Sequence, residues 1–224
     1  SLLYTQVPAR GVTETSPGSV EDCSLCGGMY LDAMILRHRH TGENEAAEKA
    51  RQIFKGLLRN TEVAGEPGYI VRGFQPGGRW RGEPSVDQYT GLLFGMWRYH
   101  NSQIASAAER EVIKGLFDQV LTRLQRHKWQ IREPGDGHVT KFGHLDRVRP
   151  TRAERLLSFL LMGHDVTDDD RWKAEYEKLL DGRVDACTGF PENTLSWVAL
   201  QSQLSFRALL DLEPKWSRRE VYRQ

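Results

Sequence analysis

Two acidic clusters stand where capping sequences open apolar helices. Ser85-Val86-Asp87-Gln88-Tyr89 follows the loop Trp80-Arg81-Gly82-Glu83-Pro84, and Ser19-Val20-Glu21-Asp22 leads into Cys23. Carboxyl groups facing one cleft can serve as general acid and general base on a glycosidic bond. Their separation would be about 5 to 5.5 Å in a retaining enzyme and about 6.5 to 9.5 Å in an inverting one. Asp87, Glu21 and Asp22 are therefore the candidate catalytic residues. An acid in a first helical turn also complements the helix dipole, so capping alone accounts for each of them taken singly. Trp80, Arg81, Gln88 and Tyr89 flank Asp87 with the stacking surfaces and polar groups that a sugar needs.

Further candidates lie in the long connections. Arg72 and Arg147 can hold a carboxylate through paired hydrogen bonds, as a uronic acid would require. His144 and Asp146 sit beside Arg147, and Trp197 lies one turn into a later apolar helix, where it could stack on a sugar or fill core. A Cys23-x-x-Cys26 pair followed by His38-x-His40 superficially resembles a zinc site, but 12 residues on one helix separate Cys26 from His38 by about 18 Å. Both thiols read as small core residues, and neither a metal nor another cofactor is expected. The chain carries no GxSxG elbow, no dinucleotide fingerprint and no phosphate-binding Walker sequence.

These residues must be positioned by helices. Ala46, Ala47, Ala50, Ile53, Phe54, Leu57 and Leu58 recur with the 3.6-residue period, as do Ile113, Leu116, Phe117, Val120, Leu121 and Leu124, each set opposite a charged face. Residues 19–40, 85–100 and 151–163 are apolar or small nearly all round, which predicts buried helices. Glycines inside the first two of these segments predict close helix packing. A charged helix over 168–180, an apolar one over 193–212 and the start of another after Pro214 complete an all-α series. No strand run is persuasive, although Tyr69-Ile70-Val71 could pair briefly. Links within pairs are short and links between pairs, 61–84, 129–150 and 181–192, are long. That pattern describes helical hairpins whose long loops, together with the N-termini of the buried helices, gather at one rim.

The chain has 224 residues, 39% of them hydrophobic, enough for a single core, so one domain over 1–224 is expected. With 31 Lys and Arg against 30 Asp and Glu it has no field that would gather phosphates, so nucleic acid is not an expected partner. No apolar run reaches the length of a membrane span. Three cysteines do not define a disulfide framework, and a start at Ser1 without Met leaves room for a removed leader, so the compartment stays open.

Alternating buried and surface helices, with Trp80-Arg81-Gly82-Glu83-Pro84-Ser85-Val86-Asp87-Gln88-Tyr89-Thr90-Gly91 at the rim, resemble the six-hairpin glycosidase superfamily of α/α toroids over about residues 19–212. In style they are nearest to the unsaturated glucuronyl hydrolases and uncharacterised relatives. The resemblance implies a toroid, or an incomplete arc of about four hairpins where that superfamily has six. It also implies a carbohydrate ligand and a glycosidase-like hydrolase in which Asp87 is the general acid and Glu21 or Asp22 orients or activates water. The missing hairpins would be supplied by more chain or by self-association. Two other readings of the same rim stand beside it: a non-catalytic module binding a glycan or a protein, and a uronate lyase with His144 or Tyr89 as base.

Overall fold

The computed structural model describes residues 22–74, 80–189 and 194–223. In chain order it forms α1 (Cys23–Thr41), α2 (Asn44–Glu62), the two-residue strands β1 (Gly73–Phe74) and β2 (Trp80–Arg81), α3 (Val86–His100), α4 (Ala107–Arg126), β3 (Gln130–Arg132), β4 (Val139–His144), α5 (Ala153–Thr167), α6 (Asp170–Leu180), α7 (Arg183–Ala186), α8 (Ser196–Leu212) and α9 (Trp216–Arg223). The chain is mostly helical, as expected of an all-α protein. Glu21 and residues 75–79 and 190–193 lie outside the described residues.

Helix boundaries follow local chemistry. Ser85 and Ser106 cap α3 and α4, each with a reciprocal box closed by Gln88 and Glu109 respectively. Gly42 ends α1 in the left-handed conformation, φ 73°, and its N–H donates to the His38 carbonyl at 2.8 Å. The helix α2 buries Ala46, Ala47, Ala50, Ile53, Phe54 and Leu57 on one face, the stripe its periodicity predicts.

The α1, α3, α5 and α8 helices pack in succession, and α2, α4, α6 and α9 pack against this group. Leu92, Leu93, Leu156, Phe159 and Leu160 from the first set and Phe117 and Trp172 from the second are fully buried. Burying each such side chain contributes roughly 1.5–3 kcal/mol.

Three expectations need correction. The first helix is not buried all round, because Cys26 and Tyr30 are exposed along one side of α1, so Cys26 is not a core thiol. Two small antiparallel sheets, β1 with β2 and β3 with β4, occupy connections expected to be loops, while Tyr69, Ile70 and Val71 are buried ahead of β1. The second sheet gives no alternating signal, since its register shifts between Gln130 and Arg132 and Lys141 and Phe142 are both exposed. Finally, Arg123, which the periodicity sets on the charged side of α4 opposite Ile113, Leu116 and Phe117, is buried and ion-paired with Glu66.

The expected tight packing is present between α1 and α3. A Cβ on Gly28 would lie 1.7 Å from the Gly91 carbonyl oxygen, and one on Gly95 would lie 2.6 Å from the Gly28 Cα. Because the obstacle is backbone, the helices would have to separate. Gly28→Ala should lower stability by about 3 kcal/mol or more, a fall of several degrees in Tm. Gly115→Ala, which meets nothing within 4 Å in α4, should leave Tm unchanged or raise it slightly. Thermal unfolding of the two variants side by side checks the contact.

Candidate functional site

The beginnings of four helices face one cleft of about 480 Å³. Asp22 precedes α1, Ser85 and Asp87 open α3, Arg152 and Arg155 open α5, and Trp197, Val198 and Gln201 come from the first two turns of α8. Arg72 and Arg81 from the first small sheet and its approach, and Phe142 from β4, complete much of the wall. First-turn N–H groups carry partial positive charge, so this end of the helix group favours anions before any side chain is counted.

Arg155 organises the floor. Its side chain is fully buried; Nη1 donates to Asp87 Oδ1 at 2.5 Å and Nη2 to Gln201 Oε1 at 2.8 Å. A single guanidinium thus ties α3 to α5 and α8, and Asp87 supplies the opposite charge that a buried cation requires. Arg155 Nε has no hydrogen-bond partner among the described residues. Arg152 is also poorly matched: Nη1 donates to the Thr151 carbonyl at 2.7 Å, while Nε is buried without a partner among the described residues. Burial, and the charge of Arg155 beside it, pull the Arg152 guanidinium down to about 10. A buried donor without an acceptor is a place where an anionic ligand gains most.

Asp22 is held from the neighbouring helix. Gln88 Nε2 donates to Asp22 Oδ1 at 2.8 Å, and Arg72 Nη1 lies 4.0 Å from the same oxygen. Asp22 and Asp87 therefore share the cleft as expected, together with Arg72, Arg81 and Trp197. Trp197 is about half exposed, at 53%, and is a wall residue rather than core. Phe142, at 49%, is a second exposed aromatic surface of the same cleft.

Other expected ligand contacts are placed elsewhere. Gln88 is fully buried, because its Oε1 reaches back to the Ser85 N–H at 2.7 Å in the capping box. It positions Asp22 rather than facing a ligand. Tyr89 is buried with its hydroxyl accepting from the Ile70 N–H at 3.4 Å, and burial pushes its phenol up. Trp80 lies edge-on to Tyr69 on β2, with ring centroids 6.1 Å apart, instead of lining the cleft. His144 Nδ1 sits 3.3 Å from Asp146 Oδ1, and Asp146 also accepts from Gln130 Nε2 at 3.0 Å, so this pair braces the second small sheet. Arg147 is exposed beyond it and does not line the cleft. Neither His144 nor Tyr89 lines this cleft.

Arg152, Arg155, Gln201 and Phe142 also line the cleft and are not among the residues expected there from the sequence. Arg152 is the N-cap of α5, the place Ser85 holds in α3, and Arg155 lies in the first turn of α5; their position at a helix start is the signal the sequence offers. Gln201 follows Trp197 by one helical turn. Phe142 had no periodicity to reveal it.

The rim is fastened between the two small sheets. Glu83 adopts φ 53°, its N–H donates to Glu133 Oε1 at 2.6 Å, and its carbonyl accepts from Arg72 Nε at 2.6 Å. The Glu83 carboxylate also pairs with His138 Nε2, while His138 Nδ1 lies 2.8 Å from Asp136 Oδ1. The hydrogen bond from His138 lowers the Glu83 carboxyl, and Glu83 followed by Asp136 raises the imidazole. Among the described residues no group of three His, Cys, Asp or Glu side chains converges as a metal site, and no helix is long and apolar enough to cross a membrane.

No family model matches the chain, and no curated protein or solved structure shows significant similarity to it.

The His138 contact carries a defined pH sign. An imidazole raised in the folded state supports the rim fully below its unfolded value near 6.5 and loses that support as pH rises through the folded value. NMR titration of His138 should give a midpoint above 6.5, and Glu83→Gln should move it downward.

Proposed function

We propose that this protein is a carbohydrate-active hydrolase of the α/α-toroid kind, acting on sugars that contain a uronic acid. One observation carries the reading: a single cleft brings Asp22 and Asp87 together with Arg72, Arg81 and Arg152 and with the exposed rings of Trp197 and Phe142. Aromatic faces stack on sugar rings, carboxyl groups move protons, and guanidinium groups hold a sugar carboxylate in a bidentate manner. The succession of α1, α3, α5 and α8 with an outer partner for each supports the toroid part of the reading.

In the proposed reaction the bond from the anomeric carbon to the leaving oxygen breaks and one water is consumed. Asp87 supplies the proton that the leaving oxygen takes up, and Asp22 accepts a proton from the water that attacks the anomeric carbon. Because Arg155 can only donate and already holds Asp87 Oδ1, the proton is carried by Oδ2. Gln88 keeps Asp22 oriented from the next helix. Arg152 and Arg81 are assigned to the sugar carboxylate, with the rings of Trp197 and Phe142 bounding the sugar.

A glycan-binding role without turnover is the second reading. It is favoured by the fact that both described acids already accept hydrogen bonds from protein donors, Arg155 and Gln88.

Asp87→Asn separates the two. Asparagine keeps an acceptor for Arg155 but cannot transfer the proton. With a panel of uronate-terminated oligosaccharides, turnover should fall by about 100-fold or more while the Kd for the same sugars changes little; because Arg155 loses its counter-charge Tm should fall as well, so both are measured at a temperature where circular dichroism shows the variant folded. Unchanged turnover would remove Asp87 from the chemistry; binding without turnover by the unsubstituted protein would establish the second reading.

A further inference from the structure

Gln201 borders the cleft one helical turn beyond Trp197, so the two side chains share a face of α8. It is 3% exposed, and its orientation is dictated from the interior. A guanidinium has five N–H donors and no acceptor, and Arg155 Nη2 stands 2.8 Å from Gln201 Oε1. Turning the amide over would set two donors against each other and deprive a fully buried cation of that acceptor. A glutamine in water can offer either end of its amide to a partner. This one has its oxygen committed to the interior.

The other end of the amide is the informative one. Gln201 Nε2 donates to no described residue and, unlike Arg155 Nε, is not sealed from solvent. Because the side chain lines the cleft, its nitrogen is a fixed donor at the cleft wall. Arg152 reaches the same wall from the start of α5, with Nη1 on the Thr151 carbonyl at 2.7 Å and Nη2 donating to no described residue. Arg152 stands one turn before Arg155, and Arg155 holds Gln201, so the two donors border one corner of the cleft.

A carboxylate has two oxygens that only accept, and this corner carries two groups that can only donate to a ligand. We propose that Gln201 is a specificity-determining residue: its Nε2 donates to one oxygen of the ligand carboxylate while Arg152 holds the other, so the cleft takes the free acid and rejects its amide. In naming a sugar acid as the ligand, the inference rests on the hydrolase reading of this site. The amide of the same sugar has nearly the same shape but only one acceptor oxygen. Its NH2 group meets a donor that cannot turn away, and both are left unpaired. Asp22 and Asp87, the acids of the cleft, lie at the starts of α1 and α3 and are not part of this corner.

The experiment titrates the full chain with D-glucuronate, D-glucuronamide and cyclohexanecarboxylate, following the side-chain NH2 signals of Gln201 by NMR. Glucuronate should bind at least about 100-fold more tightly than glucuronamide, and its binding should move the Gln201 signals. Gln201→Glu keeps an acceptor for Arg155 and with it the brace between α5 and α8, but glucuronate affinity should drop by about 10-fold or more as the donor becomes an acceptor. A residue that only braced Arg155 would show neither the moving signals nor the lost affinity. Cyclohexanecarboxylate binding as tightly as glucuronate, with the same signals moving, supports the carboxylate corner while removing the sugar reading. Equal affinity for glucuronate and glucuronamide, Gln201 signals that stay still when glucuronate binds, or no binding of either carboxylate overturns the proposal in the unsubstituted protein, whatever the variant does.

Discussion

A buried guanidinium is the constraint on which the cleft depends. Arg155 is removed from water, and a charge in that position requires a carboxylate and further acceptors in good geometry. Asp87 from α3 and Gln201 from α8 supply them, so the distances among the three helix beginnings are set by one planar group. Glycine packing between α1 and α3 then brings Asp22 within reach of Gln88, and the fourth helix beginning joins the same mouth. Apolar burial supplies the driving force for the fold, but it is non-directional; the polar contacts decide where these ends meet.

The electrostatic character of the mouth follows from that convergence. Asp22, Asp87, Arg72, Arg81, Arg152 and Arg155 amount to two acids against four guanidinium groups, and four helix N-termini add partial positive charge to the same side. The whole chain, by contrast, is nearly neutral, at +1. This local excess inside a nearly neutral protein is what the proposed acidic sugar would meet in the cleft. The two small sheets serve this geometry by carrying Arg81 and Phe142 to the rim, with Glu83 and His138 as the fastening between them.

Much of the helical scaffold was legible because its signals are local. Periodicity in α2 and α4, capping serines at positions 85 and 106 and the glycines of α1 and α3 each report on a neighbouring turn or a close contact. The rim was legible for the same reason, since short and long links alternate. What escaped depends on distant partners. Gln88 and Tyr89 have the composition of ligand contacts, yet a capping box and a buried hydroxyl turn them inward. Arg152 and Arg155 sit at the start of a segment whose apolar residues dominate its reading, and only the packing of α3 and α8 against α5 shows that Arg155 lies in the core. Strands of two and three residues with a shifted register leave no period to detect.

On the proposed reading, the mouth formed by these helix beginnings receives an acidic sugar. A crystal of the protein soaked with a uronate-terminated disaccharide should then show the sugar carboxylate on Arg152 and Arg81, with a ring between Trp197 and Phe142 and the glycosidic oxygen nearest Asp87. A sugar bound elsewhere on the surface, with the mouth filled only by solvent, would contradict it.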